Sequence, residues 1–443
     1  MSRKLKDSGI PWIGMIPEEW EVNRFKYLFA LGKGLNITKA DLTEEGIAVV
    51  NYGQVHSKLN HGTGIFPEII KYVPKKYLET DSNCLVNEGD FVFADTSEDV
   101  AGCGNCCYVD KPMVIFAGYH SITAKSRTHQ NNKYLAYLFQ TVGWRAQIHS
   151  QVSGIKVYSV SQSLLGNVFV ISPSIEEQTQ IASWLDVKCG EVDELIEVEE
   201  KMVLELEAYR QALITETVTH GLKLDVEMCT CRNPWIFEIP KHWKQDKVLR
   251  TFEYFGSGTT PKGGAYLVDE GGIPWINSGE LNFGYLMKVK KSLDPKALED
   301  LPALKVYPID SIIIAMYGAS IGKIAISKIE GCTNQACLSL VRNRKDTDLK
   351  YLFYQLYSFK DKWMELSFGG TQPNINADNI KQTWLALPPL SEQQGIVSYL
   401  DGKCAEIDEL ISVKREKIET LKQYRQSLIF EAVTGKIEIP QPQ

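Results

Sequence analysis

The sequence predicts an α+β fold in which two mixed α/β domains are separated by two long helices. Residues 173–219 and 388–434 align without a gap at an offset of 215, and 24 of the 47 pairs are identical. Each half also opens with a similar segment, Ile16–Trp20 and Ile239–Trp243. Solenoid repeats have periods of about 20–50 residues. The longer period therefore indicates a duplicated domain-plus-helix module with internal pseudo-two-fold symmetry, which can present two similar surfaces to a pseudo-symmetric partner.

Apolar side chains at three- and four-residue spacing predict that both repeated segments are helices. They include Leu195, Leu206, Tyr209 and Leu213 in the first segment and Leu410, Leu421, Tyr424 and Leu428 in the second. The apolar stripes are narrow, the first helix is strongly acidic and the second carries more basic residues. These features favour pairing of the two helices in a coiled coil, although two separate surface helices remain an alternative. Ser174–Glu177 and Ser391–Gln394 fit capping boxes, and Gly435 is a suitable helix stop.

Four segments follow from these patterns. The first domain is expected over residues 1–173, the first long helix over 174–220, the second domain over 221–389, and the second long helix with a tail over 390–443. Within the domains, strand-like runs alternate with glycine- and proline-rich turns. The predicted strands are Ile47–Asn51, Asp90–Ala94, Val114–Ala117, Ser311–Met316 and Lys323–Ser327, and the predicted short helices are Tyr134–Ile148 and Leu349–Leu366.

The net charge of −7 argues at first against nucleic acid as a partner. Its distribution weakens that argument. Residues 176–216 hold 12 acidic and 3 basic side chains, and residues 391–431 hold 8 acidic and 6 basic ones. Outside these two segments the chain is mildly basic, at +4. The distribution is compatible with DNA contact by the domains but does not by itself predict it.

The sequence has no apolar run of 18 residues and begins with a polar segment. We therefore expect neither a membrane span nor a signal peptide, and a cytoplasmic protein. The ten cysteines are expected to be free thiols. Cys103, Cys106 and Cys107 hint at zinc, but no second pair follows at finger spacing, so no metal site is predicted and the role of these three residues stays open.

Signatures of catalysis are missing. The loop Gly318–Lys323 has the wrong glycine spacing for a nucleotide-binding loop. The only Pro-Pro pair is followed by Leu390, so the loop that grips a flipped adenine in methyltransferases has no counterpart, and no Pro-Asp nuclease motif occurs. The sequence thus predicts a noncatalytic protein. Besides DNA recognition, a coiled-coil adaptor or scaffold without DNA readout, or an orphan or truncated DNA-binding regulator, would fit these features.

Several motifs occur in a characteristic order between the two repeated helices: Gly258–Pro261, Gly272–Gly279, Met316–Lys323, Thr333–Gln335 and Gly370–Asn376. With the repeated helices, they make nearly the whole chain resemble the DNA-specificity subunit of a type I restriction–modification system. The resemblance implies two target recognition domains, each reading one half of a split site in double-stranded DNA, and an antiparallel coiled coil that docks two methyltransferase subunits. It implies no cofactor in this chain, because S-adenosylmethionine belongs to the methyltransferase and ATP to a motor and restriction subunit.

The resemblance also indicates which residues contact DNA. In the second half these are Thr259, Thr260, Lys262, Tyr317, Ser320, Lys323, Asn334, Gln335, Gln372 and Asn374. The first half departs from the pattern, and its candidates are Thr96, Ser97, His120, Ser153 and Lys156. Lysines suit phosphates, whereas Gln335, Gln372 and Asn374 suit base edges. Each of these residues could also serve ordinary turn chemistry.

Overall fold

The computed structural model describes residues 3–223, 225–264, 266–268, 271–367 and 373–440. The chain divides into two compact units. The first unit comprises residues up to Glu199 and those from Glu416 onward; the second unit comprises Glu200–Arg415. Each unit therefore contains one globular domain and a part of each long helix. The two repeated helical segments thus contribute to both units.

The first unit contains two four-stranded sheets. One is antiparallel, with the strand order Cys106–Tyr108, Phe91–Ala94, Ser121–Ser126 and Phe29–Lys33. The other has the order Lys71–Val73, Ile47–Val50, Ile115–Ala117 and Leu85–Val86, with a parallel central pair. Two-stranded pairs join Leu5–Asp7 to Met15–Pro17, Glu21–Arg24 to Phe169–Ser172, and Thr96–Ser97 to Tyr158–Ser159. The helices are Phe25–Leu28, Tyr52–Val55, Tyr77–Thr80, Asn132–Gln140, Val142–His149 and Gln162–Asn167.

The second unit repeats this plan with two five-stranded sheets. The first has the order Phe252–Ser257, Cys337–Asn343, Ser311–Ala315, Ile324–Ser327 and Tyr285–Leu286. The second has the order Leu267–Val268, Ser292–Leu293, Ile273–Ile276, Gly331–Thr333 and Val306–Tyr307. Pairs join Met228–Thr230 to Glu238–Pro240 and Lys244–Lys247 to Trp384–Leu387. The helices are Val248–Thr251, Lys296–Asp300, Leu349–Ser358, Lys360–Glu365 and Ala377–Gln382.

The predicted strands occur at the expected places, with ends that differ by one residue. The predicted helix Tyr134–Ile148 is instead two helices. Thr141 separates them because its hydroxyl accepts from the backbone N–H of Trp144 and caps the second helix. Leu349–Leu366 is likewise divided, after Ser358.

The long helices span Ile175–His220 and Leu390–Val433. Ser174 caps the first, since its hydroxyl accepts from the N–H of Glu177 at 3.3 Å. The predicted cap at Ser391 is wrong, because the second helix already begins at Leu390 and Ser391 lies inside it. The predicted stop is confirmed: the helix ends two residues before Gly435, whose φ of +68° is a left-handed conformation that favours glycine.

Charged pairs show that the helices run antiparallel within each unit. In the first unit, Asp193 pairs with Arg425 at 2.8 Å and Glu199 with Lys417 at 2.7 Å. In the second unit, Glu207 pairs with Arg415 at 2.8 Å. Arg210 pairs with Asp408 there as well. In both units the residue number rises along one helix as it falls along the other. The expected match between acidic and basic helices is confirmed by these contacts.

The apolar residues predicted for the helix seam divide into three groups. Leu195, Tyr209, Leu410 and Tyr424 are exposed, which corrects their placement in the seam. Leu206 and Leu421 are half-buried, and Leu213 and Leu428 pack on the cores of the globular domains. The side chains that are buried along the middle of the helices are Val203 and four members of the same predicted apolar stripe: Val192, Ile407, Ile411 and Ile418. A narrow stripe on a 3.6-residue period cannot say which flank faces the partner helix, and this accounts for the error.

Each core takes side chains from both long helices. In the first unit, Ile181 and Leu185 of the first helix and Ile429 and Val433 of the second belong to the main apolar cluster. In the second unit, residues of both helices join the equivalent cluster: Ile214 and Val218 of the first, Ile396 and Leu400 of the second. The C-terminal end of the second long helix is thus part of the first unit's core.

The repeated tryptophans near the start of each half anchor the long helices. The indole N–H of Trp20 donates to Glu177 at 2.9 Å, and that of Trp243 donates to Glu392 at 3.2 Å. Both glutamates lie in the first turn of a long helix, where the N-terminal helix dipole also favours a negative charge. The matching segments at the start of each half therefore have a structural role. Among the described residues, no helix is long and apolar enough to cross a membrane.

Candidate DNA and partner interfaces

Five short segments of the second unit meet. A Cβ on Gly258 would lie 1.5 Å from the carbonyl oxygen of Thr333, so only glycine permits this close approach. The backbones of Tyr317 and Asn374 pair in an isolated antiparallel β-bridge. The side chain of Asn334 donates to Asn277 at 3.3 Å. Close packing thus brings together segments that are far apart in sequence, and we call this group the second loop cluster.

Polar side chains of the second loop cluster face solvent. Thr260, Lys262, Tyr317, Gln335 and Asn374 are exposed, and Thr259, Ser320 and Asn334 are partly exposed. Amide side chains can pair with adenine edges, and lysine can contact phosphate. This set has the chemistry required for reading one DNA half-site. Gln372 lies outside the described residues.

Lys323 has different surroundings. Its side chain lines a cavity together with Arg210, Lys360 and Arg415, beside the parts of both long helices that belong to the second unit. The sequence predicted that Lys323 contacts DNA phosphate along with the glycine loop that precedes it. Lys323 therefore lies beside the long helices, where a protein partner can also reach it.

The first unit contains an equivalent arrangement, which we call the first loop cluster. A Cβ on Gly34 would lie 2.0 Å from the carbonyl oxygen of Gly118, as at Gly258 in the second unit. The N–H of Tyr119 donates to the side chain of Asn51 at 3.2 Å. Residues Thr96–Ser97 pair with Tyr158–Ser159 as Tyr317 pairs with Asn374. The departures in sequence therefore leave the arrangement of the loops intact.

His120 occupies the centre of the first loop cluster. Its φ is +52°, which a residue other than glycine seldom adopts. Its ring meets the ring of Tyr52 edge to face at 5.6 Å, and Nδ1 lies 3.4 Å from Oδ1 of Asp95. A cavity of about 840 Å³ is lined by Lys33, Asn36, Asp95, Tyr119, His120 and Gln162. The histidine side chain is mostly exposed, so a ligand in this cavity could reach it.

The remaining candidates of the first half are less uniform. Thr96 is half-buried and Ser97 is buried, so Ser97 supports the loop and does not face solvent. Ser153 and Lys156 are exposed on a loop that also exposes Ile155. This loop leads into Tyr158 and hence into the pair with Thr96. His120, Ser153 and Lys156 are therefore accessible, whereas Ser97 is not.

Sequence reasoning missed Lys33, Asn36, Asp95 and Tyr119, which line the same cavity as His120. A signal was present in a shared local pattern. Asn51 and Asn277 each begin a short helical turn, and their backbone N–H groups donate in the same way to the side-chain oxygens of Gln54 and Glu280. Aligning the halves on these asparagines would have placed the two clusters in register.

The cysteines give no sign of a metal centre. Cys103, Cys106 and Cys107 are buried free thiols, and burial raises the pKa of Cys106 to about 12. A protonated thiol is a poor metal ligand and a poor nucleophile. Within the described part of the chain, no group of three or more His, Cys, Asp or Glu side chains could hold a metal ion. The three cysteines contribute to the core of the first unit and its sheets.

The long helices expose a repeated apolar stripe. In the first unit it consists of Leu195, Val198 and Tyr424, which are 48%, 48% and 54% exposed. In the second unit it consists of Leu410, Val413 and Tyr209, which are 51%, 56% and 57% exposed. The two sets are related residue by residue by the offset of 215. The internal repeat thus places the same three exposed apolar side chains in both units.

Comparison with known proteins places this arrangement in a family. The profile of the type I restriction modification DNA specificity domain matches residues 17–208 and 240–422. The chain belongs to this family. It is accordingly a specificity subunit of the type I class, and such subunits are noncatalytic.

Individual relatives agree over long stretches. A protein of Methanocaldococcus jannaschii named putative type I restriction enzyme MjaX specificity subunit is 24% identical over 433 residues, or 96% of each chain. The EcoBI specificity subunit of Escherichia coli is 24% identical over 326 residues, covering 70% of this chain and 67% of its own. A solved chain from a study of assembly and conformational transition in a type I R-M system has a TM-score of 0.66 at 17% identity. It covers 95% of this specificity subunit and 99% of its own length, and it supports the fold.

Proposed function

We propose that this specificity subunit reads a bipartite site in double-stranded DNA and docks two methyltransferase subunits, with a motor and restriction subunit joining for cleavage. The first loop cluster reads one half-site and the second loop cluster reads the other. The observation that carries the proposal is the occurrence of two equivalent loop clusters whose exposed side chains differ. Equal scaffolds with unequal side chains suit the reading of two different half-sites.

Local chemistry supports the DNA contacts. In the second loop cluster, Gln335 and Asn374 offer paired donors and acceptors, as adenine edges require, and Lys262 offers a phosphate contact. In the first, the carboxylate of Asp95 could accept from a cytosine amino group, and His120 offers a further contact. Lys33 and Lys156 are suited to phosphate in that unit.

The exposed stripe on the long helices supports the docking of two partners. Its two halves are related by the internal repeat, so two copies of one protein can bind in the same way. A methyltransferase that binds S-adenosylmethionine would supply the chemistry that this subunit lacks. No cofactor is assigned to the specificity subunit itself.

Titration with DNA at several salt concentrations tests the proposed readout. Each phosphate contact contributes about one unit to the slope of log affinity against log salt. A scaffold that binds protein only would show no such slope. In parallel, the pure chain incubated with DNA and S-adenosylmethionine is expected to transfer no methyl group, whereas adding the methyltransferase subunit should give methylation at a split site.

A further inference from the structure

Each unit contains a groove between its globular domain and the long helices. The first groove, of about 690 Å³, lies in the first unit and is lined by Arg145 of the domain and by Gln423, Arg425 and Gln426 of the second helix. The second groove, of about 720 Å³, lies in the second unit and is lined by Lys323 and Lys360 of the domain and by Ala208, Arg210 and Gln211 of the first helix. The helix residues of the two grooves correspond at the offset of 215. The grooves are thus equivalent sites.

The arginine that the two grooves share already has a partner in each. Arg425 pairs with Asp193, and Arg210 pairs with Asp408. These two ion pairs also correspond to each other at the offset of 215. They hold the helices together and leave no net charge for a ligand.

The domain side of each groove adds cations that form no ion pair among the described residues; in the second groove Lys323 and Lys360 outnumber the one carboxylate on that side, Asp361. Arg145 donates from Nε to the carbonyl of Phe139 at 2.9 Å and from Nη1 to Oδ1 of Asn105 at 2.5 Å, and both acceptors are neutral. Lys323 and Lys360 make no ion pair with any residue that the structure describes. The aliphatic part of the Lys360 side chain packs against Gly322, since a Cβ added to this glycine would lie 2.7 Å from Cγ of Lys360. Lys360 therefore lies next to Lys323, which follows Gly322 in the chain.

Burial makes the charge of Arg145 costly. Desolvation lowers the pKa of Arg145, and no carboxylate among the described residues offsets the loss of water. An anionic group from outside would offset it. Exposed apolar side chains, Trp12 and Val142, border the same groove. The first groove therefore suits a segment that has both apolar side chains and a carboxylate.

We propose that the two grooves receive the same acidic segment of the methyltransferase subunit, once in each unit. A carboxylate of that segment pairs with Arg145 in the first groove and with Lys323 and Lys360 in the second. This inference rests on the proposed function and names the charge that its partner must carry. Two features favour this occupant. The grooves are equivalent, so one protein can fill both, and Gln423 and Gln426 flank Tyr424 of the exposed stripe on the same helix.

Charge reversal in one groove at a time tests the inference. The full chain is co-expressed with the methyltransferase subunit of its host, and the bound copies are counted by native mass spectrometry across a salt series. Wild-type protein should bind two copies. Arg145→Glu should weaken one copy by roughly 10-fold or more, and the pair Lys323→Glu with Lys360→Glu should weaken the other to a similar extent. Combining all three should weaken both.

Further variants separate folding from binding. Arg145→Gln removes the charge but keeps hydrogen-bonding capacity, and should give a smaller loss in the same copy. Lys111→Glu and Lys296→Glu make the same charge change at exposed positions outside both grooves and should leave both copies bound. DNA affinity of the isolated chain should be unchanged in every groove variant.

Two outcomes would overturn the inference. Two copies bound with wild-type affinity in the groove variants would show that the grooves are not used, while leaving the proposed function intact. Loss of DNA affinity in the isolated chain, matching the loss of partner, would show that these cations serve DNA. Failure of wild-type protein to recruit any methyltransferase would instead overturn the proposed assembly itself, and this inference with it.

Discussion

The hydroxyl of Tyr134 donates to the backbone carbonyl of Val433 at 2.9 Å, although 299 positions separate the two residues. Tyr351 makes the equivalent bond to Val218 at 3.2 Å. Each acceptor lies in the last turn of a long helix, whose final carbonyls have no partner within the helix. Each tyrosine also bonds to a strand, at Ile171 and Ala386 respectively. One hydroxyl thus ties the end of a long helix to a globular domain in each unit.

Replacing Tyr134 by Phe should lower the free energy of unfolding by about 1–3 kcal/mol, because the one hydroxyl proton that two buried carbonyls share is lost. Tyr351→Phe should have a similar effect. Chemical denaturation measures both. Tyr27→Phe, at an exposed position, is the matched control and should change stability little. An equal loss in all three variants would contradict the role assigned to the buried hydroxyls.

In the second loop cluster, Gln335→Ala and Asn374→Ala should each cost about 1–3 kcal/mol in affinity for the cognate site. Specificity should relax only in the half-site that this unit reads. Lys262→Ala should weaken binding to all DNA and lower the salt slope by about one unit. Binding to a panel of single-base variants measures these effects. Unchanged specificity and salt slope would show that these loops face away from DNA.

In the first loop cluster, His120→Ala should relax recognition of the half-site that the first unit reads. It should leave recognition of the half-site that the second unit reads unaffected. The exposed ring lies in the cavity with Asp95 and Tyr119, so its removal should disturb base contacts more than folding. Because φ is positive at this position, His120→Gly is a useful second variant that removes the ring without backbone strain. If neither variant changes the methylated sequence in host DNA, His120 does not read bases.

On the long helices, Tyr209→Asp and Tyr424→Asp should each reduce recruitment of one methyltransferase copy, because each places a charge in an exposed apolar stripe. Leu206→Asp and Leu421→Asp, at half-buried positions, should abolish co-purification and, unlike the tyrosine variants, lower stability, since the charge is partly desolvated. Co-purification and thermal melting distinguish the two classes. Normal complexes from the tyrosine variants would exclude the stripe as the docking surface.

Inserting one heptad after Val198 and another after Val413 tests whether the helices set the spacer between half-sites. Seven residues lengthen each helix by about 10 Å, which corresponds to about three base pairs at about 3.4 Å each. Three base pairs also rotate the distal half-site by about 100°. The variant should prefer a spacer longer by a few base pairs, or lose activity, with both half-site sequences retained. Full activity at the original spacer would contradict a ruler.

Local patterns in the sequence were sufficient to predict the duplication, the long helices and five of the strands. The offset of 215 identifies the paired helices because it repeats polar as well as apolar residues. Glycine motifs such as Gly258–Pro261 located the loops, since close backbone approach demands glycine whatever the surroundings. Helix ends were less secure, as the misplaced cap at Ser391 shows.

Only the tertiary structure decided which flank of each helix is buried and what each loop side chain faces. Leu195 and Val192 have similar spacing in sequence, yet Val192 is buried and Leu195 is exposed. Lys323 follows the glycine loop directly, but its side chain turns toward the long helices. The contact of Tyr134 with Val433 is equally invisible in local sequence. Such outcomes depend on packing between segments hundreds of residues apart, whereas the repeat and the turn chemistry are properties of short stretches of chain.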